Sequence, residues 1–297
     1  MDKKVSVIIN FHNGEKFLSQ CLESVLNQEY ENLEVILWDN CSDDNSKKIV
    51  TKYKDNRIIY FFSKKKETLY KARNQAISKT SGDLIAFLDS DDWWEKNYIS
   101  SRANLFSDSY YDYFYSNINL YYEKKSNTKI YRKYKLPQGK IFDQLSKDYF
   151  IIISGVIFKK KLFLEHGFFD DKFNIIGDYD FMMKISKFSN GHGVNLPLIN
   201  YRIHDDNFSK LHSKMFFEEY KKWFEENNIN KNDIKFKKNI KFFKNKLDYL
   251  EITSCLLNKK KNLLLLKKIL RHVVIIEKIK FLILFFLPKK FFKFLKK

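Results

Sequence analysis

Short apolar runs alternate with segments of helical spacing over the first ninety positions. Val5 to Ile9 is a β-branched run that predicts a strand, broken by Asn13-Gly14. Phe17, Leu18, Cys21, Leu22, Val25 and Leu26 then recur on one helical face. Glu34 to Trp38 predicts a second strand ending at Asp39, and Asn45 to Tyr53 a second helix. Ile58 to Phe62 predicts a third strand. Thr68 to Lys79 predicts a third helix with Ala72, Ala76 and Ile77 inward. Leu84 to Leu88 is a continuous apolar run, as expected of a strand buried on both faces. Strands alternating with helices imply βαβ units and a parallel sheet. Ligands in such a sheet belong at the carboxyl ends of the strands, here Asn10 to Asn13, Asp39 and Asp89 to Asp92.

Beyond Asp92 the pattern is less regular. Glu95 to Phe106 reads as helical, Tyr113 to Tyr122 as a strand, and the polar stretch 124–147, with Pro137 and Gly139, as a long loop. Val156 to Phe158 reads as a short strand, Asp180 to Phe188 as a helix and Leu198 to Ile203 as a strand. From about Phe208 the chain is helical, lysine-rich and aromatic. The expected fold class is α/β: a Rossmann-like sheet flanked by helices, followed by a helical appendage.

Composition refines this picture. Hydrophobic residues make up 44% of 297, enough for a sizeable core, and only three prolines and eight glycines argue against long flexible linkers. The formal net charge of +19 suggests a polyanionic partner. From Lys259 to Lys297 there are thirteen Lys or Arg against one acid, Glu277, so much of the excess lies in the tail. Cys21, Cys41 and Cys255 are far apart and form no C-x-x-C pair, so neither a disulfide framework nor a zinc site is suggested, and this usage suits a reducing cytosol. The N-terminus lacks the apolar region of a signal peptide.

The chemistry concentrates where Leu88 gives way to Asp89-Ser90-Asp91-Asp92. Three carboxylates within four positions repel one another, and a hard cation such as Mg²⁺ or Mn²⁺ among them would relieve that repulsion. A solvated acidic turn capping a helix is the plainer alternative.

Three segments taken in order resemble glycosyltransferase family 2. They are Val5 to Asn13 followed by Glu23 to Gln28; Glu34 to Asp44; and Ala72-Arg73-Asn74, Gly82-Asp83 and Phe87 to Asp92. Gly177-Asp178-Tyr179-Asp180 and Tyr201-Arg202-Ile203-His204 fit as well, so the resemblance covers about the first 210 residues. It implies a GT-A type fold over 1–210, a Rossmann-like mixed sheet flanked by helices, with a nucleotide-sugar half to about 110 and an acceptor half after it. It also implies transfer of a sugar from a nucleotide-diphosphate donor with inversion. The donor expected first is a UDP-sugar, with GDP or dTDP sugars as alternatives. By this resemblance Asp91 is the first metal ligand, supported by Asp89, Asp92 and His204, the ion being Mn²⁺ or Mg²⁺. Asp178 is the candidate base on the acceptor hydroxyl, with Asp180 as fallback. Asn10, Phe11, His12, Asn13, Asp39, Arg73, Asp89, Ser90 and Arg202 would bind the nucleotide-sugar. The chain departs from the family at Asn10-Phe11, where Pro-Thr is common, and at Gly177, where Glu is frequent.

In the tail, Leu263, Leu266, Ile269, Leu270, Val273 and Val274 share one helical face, with Lys267, Lys268 and Arg271 on the other. Phe281 to Leu287 is apolar, and Phe291, Phe292, Phe294 and Leu295 follow among lysines. No stretch approaches the ~20 apolar residues of a spanning helix. Interfacial helices on an anionic membrane are expected over 211–297, with packing on the catalytic domain as the alternative. The resulting expectation is an enzyme on the inner face of the cytoplasmic membrane that acts on glycan or lipid-linked glycan acceptors for bacterial surface polysaccharide. Two enzyme-related alternatives are an inactive nucleotide-sugar-binding scaffold and a sugar nucleotidyltransferase. The latter usually opens with a Gly-rich phosphate loop, and Asn10 to Lys16 holds one glycine. A nucleic-acid partner is disfavoured because the charge is interleaved with aliphatic runs.

Overall fold

A computed structural model of the chain describes residues 3–229, 233–258, 261–272 and 274–286. The chain divides into two units, Met1–His204 and Asp205–Lys297.

The first unit opens with the expected alternation. It runs β1 (Val5–Phe11), α1 (Leu18–Leu26), β2 (Leu33–Asp39), α2 (Ser46–Val50), β3 (Ile58–Phe62), α3 (Leu69–Ile77) and β4 (Leu84–Phe87). Strands β3, β2, β1 and β4 lie side by side and parallel. One face of β1, formed by Val5, Val7, Ile9 and Phe11, packs with Leu18, Cys21, Leu22 and Val25 of α1 in the core. Each such buried aliphatic side chain stabilises the fold by roughly 1.5–3 kcal/mol. Burial, and then the charges of Asp92, Asp91 and Asp89, push the Cys21 thiol well above its usual range, so it stays an inert core group.

The second half of this unit turns the sheet mixed. It contains β5 (Trp93–Trp94), β6 (Tyr113–Tyr122), β7 (Asn127–Ile130), α4 (Phe142–Lys147), β8 (Val156–Lys159), α5 (Lys161–His166), α6 (Gly177–Ile185) and β9 (Gly191–Ile203). The sheet continues β4-β8-β6-β9-β5, with β7 beside β6. Strand β8 is antiparallel to both β4 and β6, β9 is parallel to β6, and β5 is antiparallel to β9.

Four sequence expectations shift here. Residues 95–106 form only a 3₁₀ turn, Ser100–Leu105, after β5. The Gln28 side chain donates to the Glu95 carbonyl and accepts from the Ile99 N–H, taking backbone groups a longer helix would use. The stretch 124–147 contains β7, an exposed strand with no apolar alternation to read, and α4. Strand β9 begins at Gly191 rather than Leu198. A Cβ at Gly191 would come within 2.5 Å of the Tyr113 ring, so this glycine serves close packing rather than a turn. The six-residue α5 lies between β8 and α6, where no helix was expected.

The second unit is helical: α7 (Phe208–Leu211), α8 (Ser213–Ile229), α9 (Ile234–Leu257), α10 (Leu263–Arg271) and α11 (Ile275–Phe286). Asp233 and Asn262 cap α9 and α10 by accepting from the Phe236 and Leu265 N–H groups. Trp223 of α8 meets Phe236 and Phe243 of α9 edge-on. Helices α9, α10 and α11 share a second core of Ile252, Leu256, Leu265, Ile269, Phe281 and Leu284. Of the apolar face expected on the tail, Ile269 is buried, whereas Leu263, Leu270 and Val274 are exposed. Val273 and the run from Leu287 to Lys297 lie outside the described residues. Among the described residues no helix is long and apolar enough to cross a membrane.

Candidate active site

The acidic turn at the end of β4 gathers its partners from several elements, and each carboxylate has a different environment. Arg73, on the buried face of α3, pairs with the partly exposed Asp89. Its guanidinium also lies 5.2 Å from the Tyr70 ring centroid and 5.7 Å from that of Phe87, which fixes its plane. Burial pushes the Asp89 carboxyl up, the Arg73 charge works against that, and the charges of Asp91 and Asp178 add to the rise.

Asp92 is 1% exposed. Its Oδ2 accepts from the Ser154 hydroxyl at 2.6 Å and its Oδ1 from the Arg202 N–H at 3.0 Å. Burial and then the charges of Asp91 and Asp89 hold it well above the usual carboxylate range. With both oxygens engaged inside the fold, Asp92 ties the acidic turn to the turn before β8 and to β9.

Asp91 faces His204 at the end of β9, with Oδ2 2.9 Å from Nε2, and the imidazole packs against Phe17 at 5.1 Å between ring centroids. Among the described residues no group of three or more His, Cys, Asp or Glu side chains converges as a metal site. The Asp91–His204 pair still suits a divalent ion: a carboxylate oxygen and an imidazole match Mn²⁺. An ion that arrives with a diphosphate completes its shell from phosphate oxygens and water and needs few protein donors.

Arg202 is buried and committed to the fold. Its Nε donates to the Asp91 carbonyl, Nη1 to Glu123 and Nη2 to Gln20. Its guanidinium lies over the Phe17 and Trp93 rings at 4.3 and 4.6 Å. It clamps the acidic turn at a position where the resemblance implies a contact to the nucleotide-sugar.

The loops after β1 and β2 are stitched together. Asn13 adopts a left-handed φ of 57°, a conformation asparagine tolerates. It exchanges side-chain and backbone hydrogen bonds with Asp43 at 2.7 and 3.0 Å. Glu15 accepts from Asn45, and the Gly14 N–H donates to Ser46. Asp39 is fully buried, accepting from the Ser42 N–H and the Tyr60 hydroxyl, both at 2.8 Å. His12 is half-buried with Nδ1 3.1 Å from the Asn40 carbonyl. Asn10 turns its amide to the face opposite the β1 core positions, where neither the nitrogen nor the oxygen finds a partner among the described residues. Strand β1 runs two residues further than expected, and strand alternation delivers the Phe11 ring to the core. Ser90 is half-buried between Asp89 and Asp91.

Asp178 lies in the first turn of α6, but the N-cap is Ile176 and no side chain caps the helix. Asp178 Oδ1 instead accepts a 2.6 Å hydrogen bond from the Tyr70 hydroxyl. Asp180 lies two positions on, about 200° around the helix, and so faces elsewhere. Tyr201 stands within the field of Asp92, Asp91, Asp89 and Asp178; burial first, and then these charges, push its phenol up. Tyr70, Ser154, Gln20 and Glu123 escaped the sequence reading, and Tyr201 entered it only as part of a motif. Each matters through partners distant along the chain, which no local pattern encodes.

The family profile described as Glycosyl transferase family 2 matches residues 6–169. A UDP-Glc:α-D-GlcNAc-diphosphoundecaprenol β-1,3-glucosyltransferase, WfgD of Escherichia coli, is 30% identical over 224 residues, spanning 75% of this chain and 85% of that protein. The match to GlyA of Streptococcus pneumoniae, 31% identical over 183 residues, covers 26% of that protein. Staphylococcus aureus TarS 1–349 in complex with UDP-GlcNAc superposes with a TM-score of 0.59 at 18% identity, covering 98% of this chain and 73% of that one. The mannosyltransferase PcManGT of Pyrobaculum calidifontis, in complex with GDP-Man and Mn²⁺, gives 0.59 at 14% identity, over 82% and 69% of the two chains. The shared architecture is the GT-A type fold.

Proposed function

The chain belongs to glycosyltransferase family 2, and from that premise we propose that it moves a sugar from a UDP-sugar to a hydroxyl of a lipid-linked glycan, with inversion. The observation that carries this reading is the unequal treatment of the carboxylates. Asp89 is paired with Arg73 and Asp92 is buried in the scaffold, so Asp91 and Asp178 remain on separate elements for separate tasks.

The donor would lie over the carboxyl ends of β1, β2 and β4. Asn10 and His12 border that space, Asp39 and Asn13 shape its loops, and Arg73 holds Asp89 in place for the donor sugar or ribose. Asp91 and His204 would hold a Mn²⁺ or Mg²⁺ ion, which when bound neutralises charge on the diphosphate leaving group. Asp178 accepts the proton of the acceptor hydroxyl. The freed oxygen lone pair forms the new glycosidic bond from the face opposite the leaving group. The bond from the anomeric carbon to the diphosphate oxygen breaks, and UDP leaves. A single displacement of this kind inverts the configuration.

A lipid-linked acceptor agrees with the second unit. Leu263, Leu264, Ile275, Ile276 and Phe286 expose aliphatic and aromatic surface on α10 and α11, beside Lys267, Arg271, Lys278 and Lys280. Such a surface suits an anionic bilayer on the cytoplasmic side.

The test is transfer from radiolabelled UDP-glucose or UDP-N-acetylglucosamine to a polyprenyl-diphosphate-linked N-acetylglucosamine, with the product's anomeric configuration read by NMR. An inverted product from wild type, and none from Asp178→Asn, is expected. A retained configuration, or full activity in Asp178→Asn, would overturn the reading.

A further inference from the structure

We propose that Tyr70 is a positioning residue for Asp178, and that Tyr70 and Gly177 form an obligate pair that sets where the base stands. The inference rests on Asp178 being the base.

Tyr70 is 1% exposed and projects from α3 to the first turn of α6, 108 positions later. Its hydroxyl lies 2.6 Å from Asp178 Oδ1 and 3.0 Å from the Ile175 carbonyl oxygen. A short bond from a neutral hydroxyl to a carboxylate is charge-assisted and directional. It holds one oxygen of Asp178 and leaves Oδ2 to meet the acceptor hydroxyl.

The ring is as constrained as the hydroxyl. A Cβ at position 177 would come within 2.5 Å of two Tyr70 ring carbons. Gly177 is therefore the absence of a side chain that the ring replaces. Phe169 packs on the ring at 5.3 Å, and the Arg73 guanidinium lies 5.2 Å from its centroid. Arg73, three residues along the same helix, holds Asp89. One face of α3 thus positions both the base and the first carboxylate of the acidic turn, and fixes the two relative to each other.

Tyr70→Phe keeps the ring over Gly177 and removes only the hydroxyl. Hydrolysis of whichever of UDP-glucose, UDP-N-acetylglucosamine, UDP-galactose or GDP-mannose turns over with Mn²⁺ provides the rate. We expect kcat to fall about 10-fold with donor KM unchanged, and Asp178→Asn to lower kcat about 100-fold or more. The double variant should be no slower than Asp178→Asn alone, because the hydroxyl acts through that carboxylate. Wild-type kcat in Tyr70→Phe, a rise in donor KM in place of the kcat loss, or losses that multiply in the double variant would overturn the role of Tyr70 while leaving the base intact. Full turnover in Asp178→Asn would sink the base reading itself. Gly177→Ala, which drives a methyl group into the ring, gives a second route: it should lower kcat in the wild type and have no further effect in Asp178→Asn.

Discussion

Glu34, near the start of β2, is 4% exposed and sits at the opposite end of the sheet from the acidic turn. Its Oε1 accepts from the Ser6 hydroxyl and the Ser81 N–H, both at 2.6 Å. Its Oε2 accepts from the Ser81 hydroxyl at 2.7 Å and pairs with Lys4 at 2.8 Å. Burial alone would raise this carboxyl, but the bonds from Lys4, Ser6 and Ser81 outweigh it and hold it at about 2, against 4.5 for an ordinary glutamate. The folded-state value is depressed, so the stabilisation is fully present above the unfolded value and is lost as pH falls from about 4.5 to 2. Holding the carboxyl at about 2 against 4.5 corresponds to about 3 kcal/mol. Glu34→Gln replaces one acceptor oxygen by a donor that faces other donors, and should cost a similar amount at pH 7. Trp38, Trp93 and Trp94 report on the first unit and Trp223 on the second, so urea unfolding followed by tryptophan fluorescence in a Trp223→Phe background isolates the first transition. The midpoint should fall by about 1 M urea at pH 7. The stability gap between the parent protein and its Glu34→Gln variant should narrow steadily as pH falls below about 4.5. A loss under about 1 kcal/mol, or an equal pH slope in both proteins, would refute the reasoning.

Two further variants read the interior in the same assay. Arg73→Ala strands Asp89 beside Asp91; because Asp89 is partly exposed, the expected cost is about 2 kcal/mol, below that of a fully buried pair, and adding Asp89→Asn should recover part of it. Arg102 is fully buried with Nε, Nη1 and Nη2 meeting no acceptor among the described residues, its guanidinium 4.2 Å over the Tyr98 ring, so burial pushes its pKa down. Arg102→Met should leave stability unchanged or raise it by about 1–3 kcal/mol, and a loss above about 2 kcal/mol would show that the stacked cation stabilises the fold.

The parallel half of the fold was legible because its strands are apolar runs closed by polar turns. Ile58–Phe62 and Tyr113–Tyr122 appear with the expected ends. The mixed half was less legible where side chains from afar replace local rules, as Gln28 does at the Glu95–Ile99 turn and Tyr113 does over Gly191. The acidic turn was visible as a motif, but the distinct environments of its carboxylates were not. Those depend on Arg73, Ser154, Arg202 and His204, which arrive from α3, the turn before β8, and β9 with its end. At Phe11 and Arg202 the motif position marks a residue near a ligand, whereas packing decides which way its side chain points.

The most direct test of the central claim is a calorimetric titration of UDP into the full chain with Mn²⁺ and with EDTA, for wild type and Asp91→Ala. The account predicts that UDP binds with Mn²⁺, binds at least about 10-fold more weakly in EDTA, and loses its metal dependence in Asp91→Ala. Equal affinity with and without the ion in the wild type, or an unchanged metal effect in Asp91→Ala, would contradict it.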